Sequence, residues 1–146
     1  MTSAHSRRHR CWRDRRLLSF FFLLLAFRRS AGEVGTAASY RPPYLPTECY
    51  GDDPSQIPDN SAFAAAGPGI WDNGAACGRR YLVLCISSAT PGACIDGATV
   101  EVVVLDRAAG VRSLPTRVGT TLALSQAAFQ AIANLSVEEI NIELAM

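Results

Sequence analysis

The chain has 146 residues, of which 49% are apolar, and a formal net charge of +1. Eight of the 14 basic residues and one of the 13 acids fall within residues 1–32, so residues 33–146 hold six arginines against twelve acids, a net charge of −6, with no lysine and no histidine. A mildly acidic segment without a basic patch has little means of collecting phosphates, which argues against a nucleic-acid partner. The same composition excludes a Ser-His-Asp or Cys-His catalytic set, a Schiff-base lysine and a histidine zinc site, and no cofactor or metal is expected.

At the N-terminus, Arg7, Arg8, Arg10, Arg13, Arg15 and Arg16 precede an apolar run of eleven residues, 17–27. A charged region followed by a short apolar one is the grammar of a secretory signal. As a helix, eleven residues rise only about 16 Å, roughly half of the ~30 Å hydrocarbon core, so a membrane span is the weaker reading. Ser30 and Gly32 place small residues where a cut after Gly32 needs them, although Arg28 and Arg29 in between are unusual. The expected organisation is therefore a signal peptide, 1–32, and one secreted domain, 33–146, which is long enough for a single core.

Residues 34–46 contain three prolines together with Tyr40 and Tyr44, and read as an edge strand leading into a loop. Residues 52–60 are loop by composition. The alanine-rich stretch 61–66 predicts one or two helical turns ended by Gly67-Pro68-Gly69. The sequence Ile70-Trp71-Asp72-Asn73-Gly74 is turn chemistry, since Asn and Gly tolerate left-handed backbone. Short apolar runs at 81–85, 98–105, 120–124 and 140–144 have the composition of buried strands. Arg79-Arg80 reads as a solvated strand edge, and Asp106-Arg107 as a turn or salt-bridge pair at a strand end. A helix is expected after Ser125, a plausible N-cap, because Ala128, Phe129, Ile132 and Ala133 make one apolar face. This pattern alone predicts a small β barrel or sandwich.

Cys11 lies in the signal, which leaves Cys49, Cys77, Cys85 and Cys94. An even count after an export signal reads as two disulfides, with three connectivities open. Asn134-Leu135-Ser136 is a glycosylation sequon, meaningful because the chain reads as secreted, and its place just after the helix predicts exposure.

Trp71-Asp72-Asn73-Gly74-Ala75-Ala76-Cys77-Gly78, with Glu48-Cys49-Tyr50-Gly51 upstream and Leu124-Ser125-Gln126-Ala127-Ala128-Phe129 downstream, resembles the expansin-like, EG45-like domain proteins of plants, also called plant natriuretic peptides. The resemblance runs from about residue 35 to residue 144. It implies an all-β fold, a six-stranded double-psi β-barrel with one or two short peripheral helices, and it selects the pairings Cys49–Cys77 and Cys85–Cys94. Relatives carry Asp-Arg-Cys with a further cysteine nearby where this chain has Asp106-Arg107-Ala108, so a third bridge is missing and a looser loop is expected over 107–119.

In expansins and related endoglucanases the groove carries one aspartate on the strand matching 102–106 and a second just before the helix. Glycoside hydrolysis needs such a pair, a proton donor on one side of the bond and a base or nucleophile on the other. Asp106 matches the first position, and Ala123 replaces the second. The aromatic mouth of the groove is also reduced, since Ala37-Ala38-Ser39-Tyr40 keeps only Tyr40 of its polar and aromatic members. The resemblance therefore implies no enzyme, with Tyr40, Trp71, Asp72 and Asp106 as ligand-groove candidates. It implies a secreted, monomeric signalling protein of the apoplast that acts on water and solute balance through a cell-surface receptor or wall component. The alternative is a wall-polysaccharide binder or loosener, against which stands the expected absence of a second, carbohydrate-binding domain before Met146.

Overall fold

A computed structural model describes residues 32–110 and 119–146. All of the expected signal peptide 1–32 except its last residue, and the greater part of the 107–119 loop, including Arg112 and Arg117, lie outside them. Among the described residues, no helix is long and apolar enough to cross a membrane.

Six strands close into a barrel: β1 (Glu33–Tyr40), β2 (Phe63–Ala66), β3 (Arg80–Ser87), β4 (Thr99–Arg107), β5 (Leu122–Ser125) and β6 (Ile140–Ala145). Their order around the barrel is β1-β5-β2-β4-β3-β6. β1 runs parallel to β5 and β2 parallel to β4, and the remaining neighbours are antiparallel. Two short α-helices, α1 (Pro68–Trp71) and α2 (Gln126–Ile132), and short 3-10 turns at Pro54–Gln56, Asp72–Gly74 and Ala108–Gly110 accompany the strands. This is the six-stranded double-psi barrel that the resemblance implied.

Two local expectations are corrected. Residues 34–46 do not make an edge strand: β1 bonds β5 on one side and β6 on the other, and a closed barrel has no edge. Its prolines all follow Tyr40, where the strand has ended. Residues 61–66 are not helical either. Alanine is the best helix former, but Phe63–Ala66 lies between β4 and β5 with every residue buried on both faces, and there a small side chain is what fits. Gly67 then ends a strand instead of a helix. A Cβ at this position would run into the carbonyl oxygen of Thr120, while the Gly67 N–H donates to Thr121 O at 2.9 Å.

Alternation divides the core in two. Ala64, Ala66, Val102, Val104, Leu122 and Leu124 join Val83, Ile142 and Leu144 in the main cluster, to which all six strands contribute and against which α2 packs Ala128, Phe129 and Ile132. Phe63, Ala65, Val103, Leu105 and Ala123, one residue out of phase, point to the other face and meet Tyr40, Tyr44 and Ile57. The segment after β1 therefore covers the outside of β2, β4 and β5. Both expected disulfides are present, Cys49–Cys77 and Cys85–Cys94.

Candidate functional site

Beneath that covering segment the structure brings together Tyr40, Asp106 and Ala123. Tyr40 ends β1 opposite Ser125, Asp106 lies near the end of β4 opposite Ala65, and Ala123 occupies the middle of β5 between Ala38 and Ala65. The aromatic rings set the shape. Tyr40, Tyr44 and Phe63 pack edge to face in all three pairings, with centroids 5.1, 6.2 and 4.8 Å apart, the arrangement that ring quadrupoles favour. Tyr44 Oη donates to Tyr40 O and accepts from the N–H of Gln126, tying this cluster to the start of α2.

Asp106 is buried, 6% exposed. Its Oδ1 accepts from the backbone N–H of Glu48 at 2.9 Å and of Arg107 at 2.8 Å. Desolvation nonetheless raises its pKa above the ordinary 3.8, the two hydrogen bonds oppose that, and the nearby charge of Glu48 adds to the rise. Beside it, Tyr40 Oη is buried without a hydrogen-bond partner among the described residues. Burial first, and the charge of Asp106 second, push this phenol far up, so it remains neutral. An unsatisfied buried hydroxyl costs about 1–3 kcal/mol.

The other two sequence candidates belong to a neighbouring feature. Trp71 is half-buried at the end of α1, and the guanidinium of Arg107 stacks over its ring at 5.7 Å. Arg107 thus turns to Trp71, and the expected pairing with Asp106 is made by its backbone N–H alone. Asp72 is exposed and forms an ion pair with Arg79 at 2.8 Å, while Arg80 pairs with Glu101 at 2.9 Å. Asp72 and Asn73 adopt φ of 52° and 50°, the left-handed backbone that their composition predicts. Trp71 therefore borders the Tyr40–Asp106 cluster through Arg107, while the exposed Asp72 is engaged by Arg79.

Sequence reasoning missed Tyr44, Phe63 and Glu48 as members. Tyr44 and Phe63 flank a proline-rich segment whose course no local pattern fixes. Glu48 stands out in the sequence only as part of a motif, yet its N–H and its charge both reach Asp106. Ala123 is fully buried in an apolar setting. A carboxylate across from Asp106 at that position is absent, and among the described residues no group of three or more His, Cys, Asp or Glu could hold a metal ion.

The family model described as lytic transglycolase, a double-psi β-barrel family, matches residues 64–144. The chain is 38% identical over 112 residues to an EG45-like domain containing protein of Citrus jambhiri, covering 75% of this chain and 77% of that protein. It is 34% identical over 132 residues to EG45-like domain containing protein 2 of Arabidopsis thaliana, covering 86% and 92%. Among solved structures it is similar to a mutant of Clavibacter michiganensis expansin in complex with cellohexaose, with a TM-score of 0.55 and 23% identity, and to the apo form of that expansin, with a TM-score of 0.51. The chain covers 48% of those expansin chains, about half their length, and the likeness is one of fold. By its barrel and by its identity to the curated relatives, the chain belongs to the expansin-like EG45-like domain family.

Proposed function

We propose that this is a secreted, non-catalytic expansin-like protein of the apoplast, a signalling factor that affects water and solute balance through a cell-surface partner. The observation that carries the non-catalytic part is Ala123, on β5 across Ala65 of β2 from Asp106 on β4, where the resemblance places the second carboxylate. A retaining or inverting glycosidase needs two carboxyls about 5 or about 6.5–9.5 Å apart, and acid–base assistance is typically worth about 10²–10⁴ in rate. Asp106 is engaged by two backbone N–H groups, and the facing position carries a methyl group buried among aromatic and aliphatic side chains. Glu48 is the remaining carboxylate whose charge reaches Asp106, and it is exposed on the covering segment, with its own N–H bound to that aspartate. Its role in this reading is to position the segment.

A second reading is favoured by one observation. The Tyr40 hydroxyl, without a hydrogen-bond partner among the described residues, and the Asp106 carboxylate, whose charge reaches it, are a donor and an acceptor in one cluster, the polar equipment by which a barrel groove would hold a sugar hydroxyl. Since the expansin with the same fold was solved with cellohexaose, wall-polysaccharide binding is the alternative to signalling.

The two readings separate when purified residues 33–146 are applied to plant protoplasts while volume is recorded, in parallel with a pull-down on insoluble wall glucan. A volume response without retention is the expected result, and retention without a response would replace signalling with wall binding. No reducing sugar is expected from soluble β-glucan or xyloglucan. Release that disappears in both Asp106→Ala and Glu48→Gln would overturn the non-catalytic reading.

A further inference from the structure

Asn134-Leu135-Ser136 is the one sequon in the chain. It follows α2 directly, and its backbone is clamped. Ile95 N–H donates to Ile132 O at 2.8 Å, Asn134 N–H donates to Ala93 O at 2.9 Å, and Cys94 pairs with Ala133 in a β-bridge. The partner segment is the one that the Cys85–Cys94 disulfide holds. Val137 N–H donates to Asn134 O at 3.1 Å, closing a turn over the sequon. Leu135 and Val137 pack on the core, whereas Asn134 and Ser136 are exposed. Asn134 Oδ1 accepts from the N–H of Ser136 at 3.0 Å. Asn134 is exposed, and among the described residues its Nδ2 has no hydrogen-bond partner.

The geometry points to Asn134 as an N-glycosylation acceptor, with an oligosaccharide on a polyprenyl diphosphate as the donor. Asn134 Nδ2 attacks the anomeric carbon, the new C–N bond forms as the C–O bond to the diphosphate breaks, Nδ2 releases one proton, and the polyprenyl diphosphate leaves. No redox partner is required. The inference rests on the secreted reading proposed above, because that donor is met only along the export route.

The site also suits what surrounds it. The N-terminal end of α2 is tied to the aromatic cluster through Gln126 N–H and Tyr44 Oη. Asn134 lies beyond the opposite end, about 10 Å further along at 1.5 Å per helical residue. A glycan there leaves the Tyr40–Asp106 side open. It would instead cover Ile95, an exposed isoleucine that shares the clamp with Ile132, and a bulky solubilising group over apolar surface opposes self-association.

The test is expression of the full chain in plant suspension cells, reading protease protection in microsomes and mass before and after peptide-N-glycosidase. The wild type should be protected and should lose mass on digestion, with aspartate left at position 134. Asn134→Gln and Ser136→Ala should lose the shift completely, and Ser136→Thr should keep it, which separates acceptor recognition from a folding defect. A protected wild type without any mass change overturns the glycan alone. A wild type found unprotected, with reduced thiols, overturns the glycan together with the secreted reading.

Discussion

At the scale of single residues, Asp106 is a carboxylate held against its solvation preference. Its folded pKa is raised, chiefly by desolvation. The folded state therefore binds a proton more tightly than the unfolded chain does, and stability falls as pH rises from the ordinary value of 3.8 through the raised one. Asp106→Asn keeps an oxygen for the Glu48 and Arg107 N–H groups and removes the charge. The expected result is that the acid-side gain due to Asp106 is absent from the variant, so wild type minus variant rises as pH falls, while stability of the variant at pH 7 is equal to or above wild type. Asp106→Ala leaves the Glu48 and Arg107 N–H groups without their acceptor and should be less stable than Asp106→Asn by about 1–3 kcal/mol at every pH. Urea unfolding of the three proteins across pH 4–7 decides. Equal destabilisation by Asn and Ala would mean that the charge itself stabilises the fold. Of this site, Asp106, Tyr40 and the loss at Ala123 were legible through motif positions. Tyr44, Phe63 and Glu48 were not, since what unites them is the path of the covering segment, which no spacing encodes.

At the scale of elements, the helix after Ser125 was legible because capping and apolar spacing agree, and its seven residues fall where both place it. β2 was not legible, because an alanine run carries a strong local preference for helix that the barrel overrides. The two elements meet at Ser125 Oγ, which accepts from Ala128 N–H at 3.2 Å and from Phe63 N–H at 3.4 Å and donates to Ser61 O at 2.6 Å. One hydroxyl thus caps α2 and fixes the start of β2. Losing a cap costs about 1 kcal/mol, and stranding a buried backbone partner adds about 1–3 kcal/mol. Ser125→Ala should therefore lower stability by about 2–4 kcal/mol. Gln130→Ala on the exposed face of α2 should stay within about 0.5 kcal/mol of wild type. Denaturant titration of both variants checks this, and a Ser125→Ala cost of only about 1 kcal/mol would reduce the hydroxyl to a helix cap.

At the scale of the whole molecule, the apolar runs reveal strands but not their partners. The parallel pairing of β1 with β5 joins Ala37 to Leu122, and that of β2 with β4 joins Phe63 to Val103. Period-two alternation says which side of a strand is buried and nothing about a neighbour so distant in sequence, so closure followed from the resemblance alone.

That closed barrel leaves the covering segment outside the strand ladder, and its attachment falls to the Cys49–Cys77 bridge, supported by Cys49 N–H to Leu105 O at 3.2 Å and Glu48 N–H to Asp106. The second bridge, Cys85–Cys94, spans only 9 residues against 28 for the first. On loop-closure entropy the longer bridge is worth about 3.5 kcal/mol and the shorter about 2.7 kcal/mol, each a large fraction of the roughly 5–15 kcal/mol typical of a domain. Calorimetry of the two double-alanine variants should show Tm lowered by on the order of 10 °C in each, and further for Cys49/Cys77. The two should also differ in kind. Freeing the covering segment exposes Tyr40, Tyr44 and Phe63, so the Cys49/Cys77 variant should gain quencher access to tyrosine below its melting transition, while the Cys85/Cys94 variant should not. A larger loss from the short bridge, or equal quenching in both, would place the hold on the aromatic cluster in the barrel strands themselves and leave the segment from Arg41 to Ile57 without a special role.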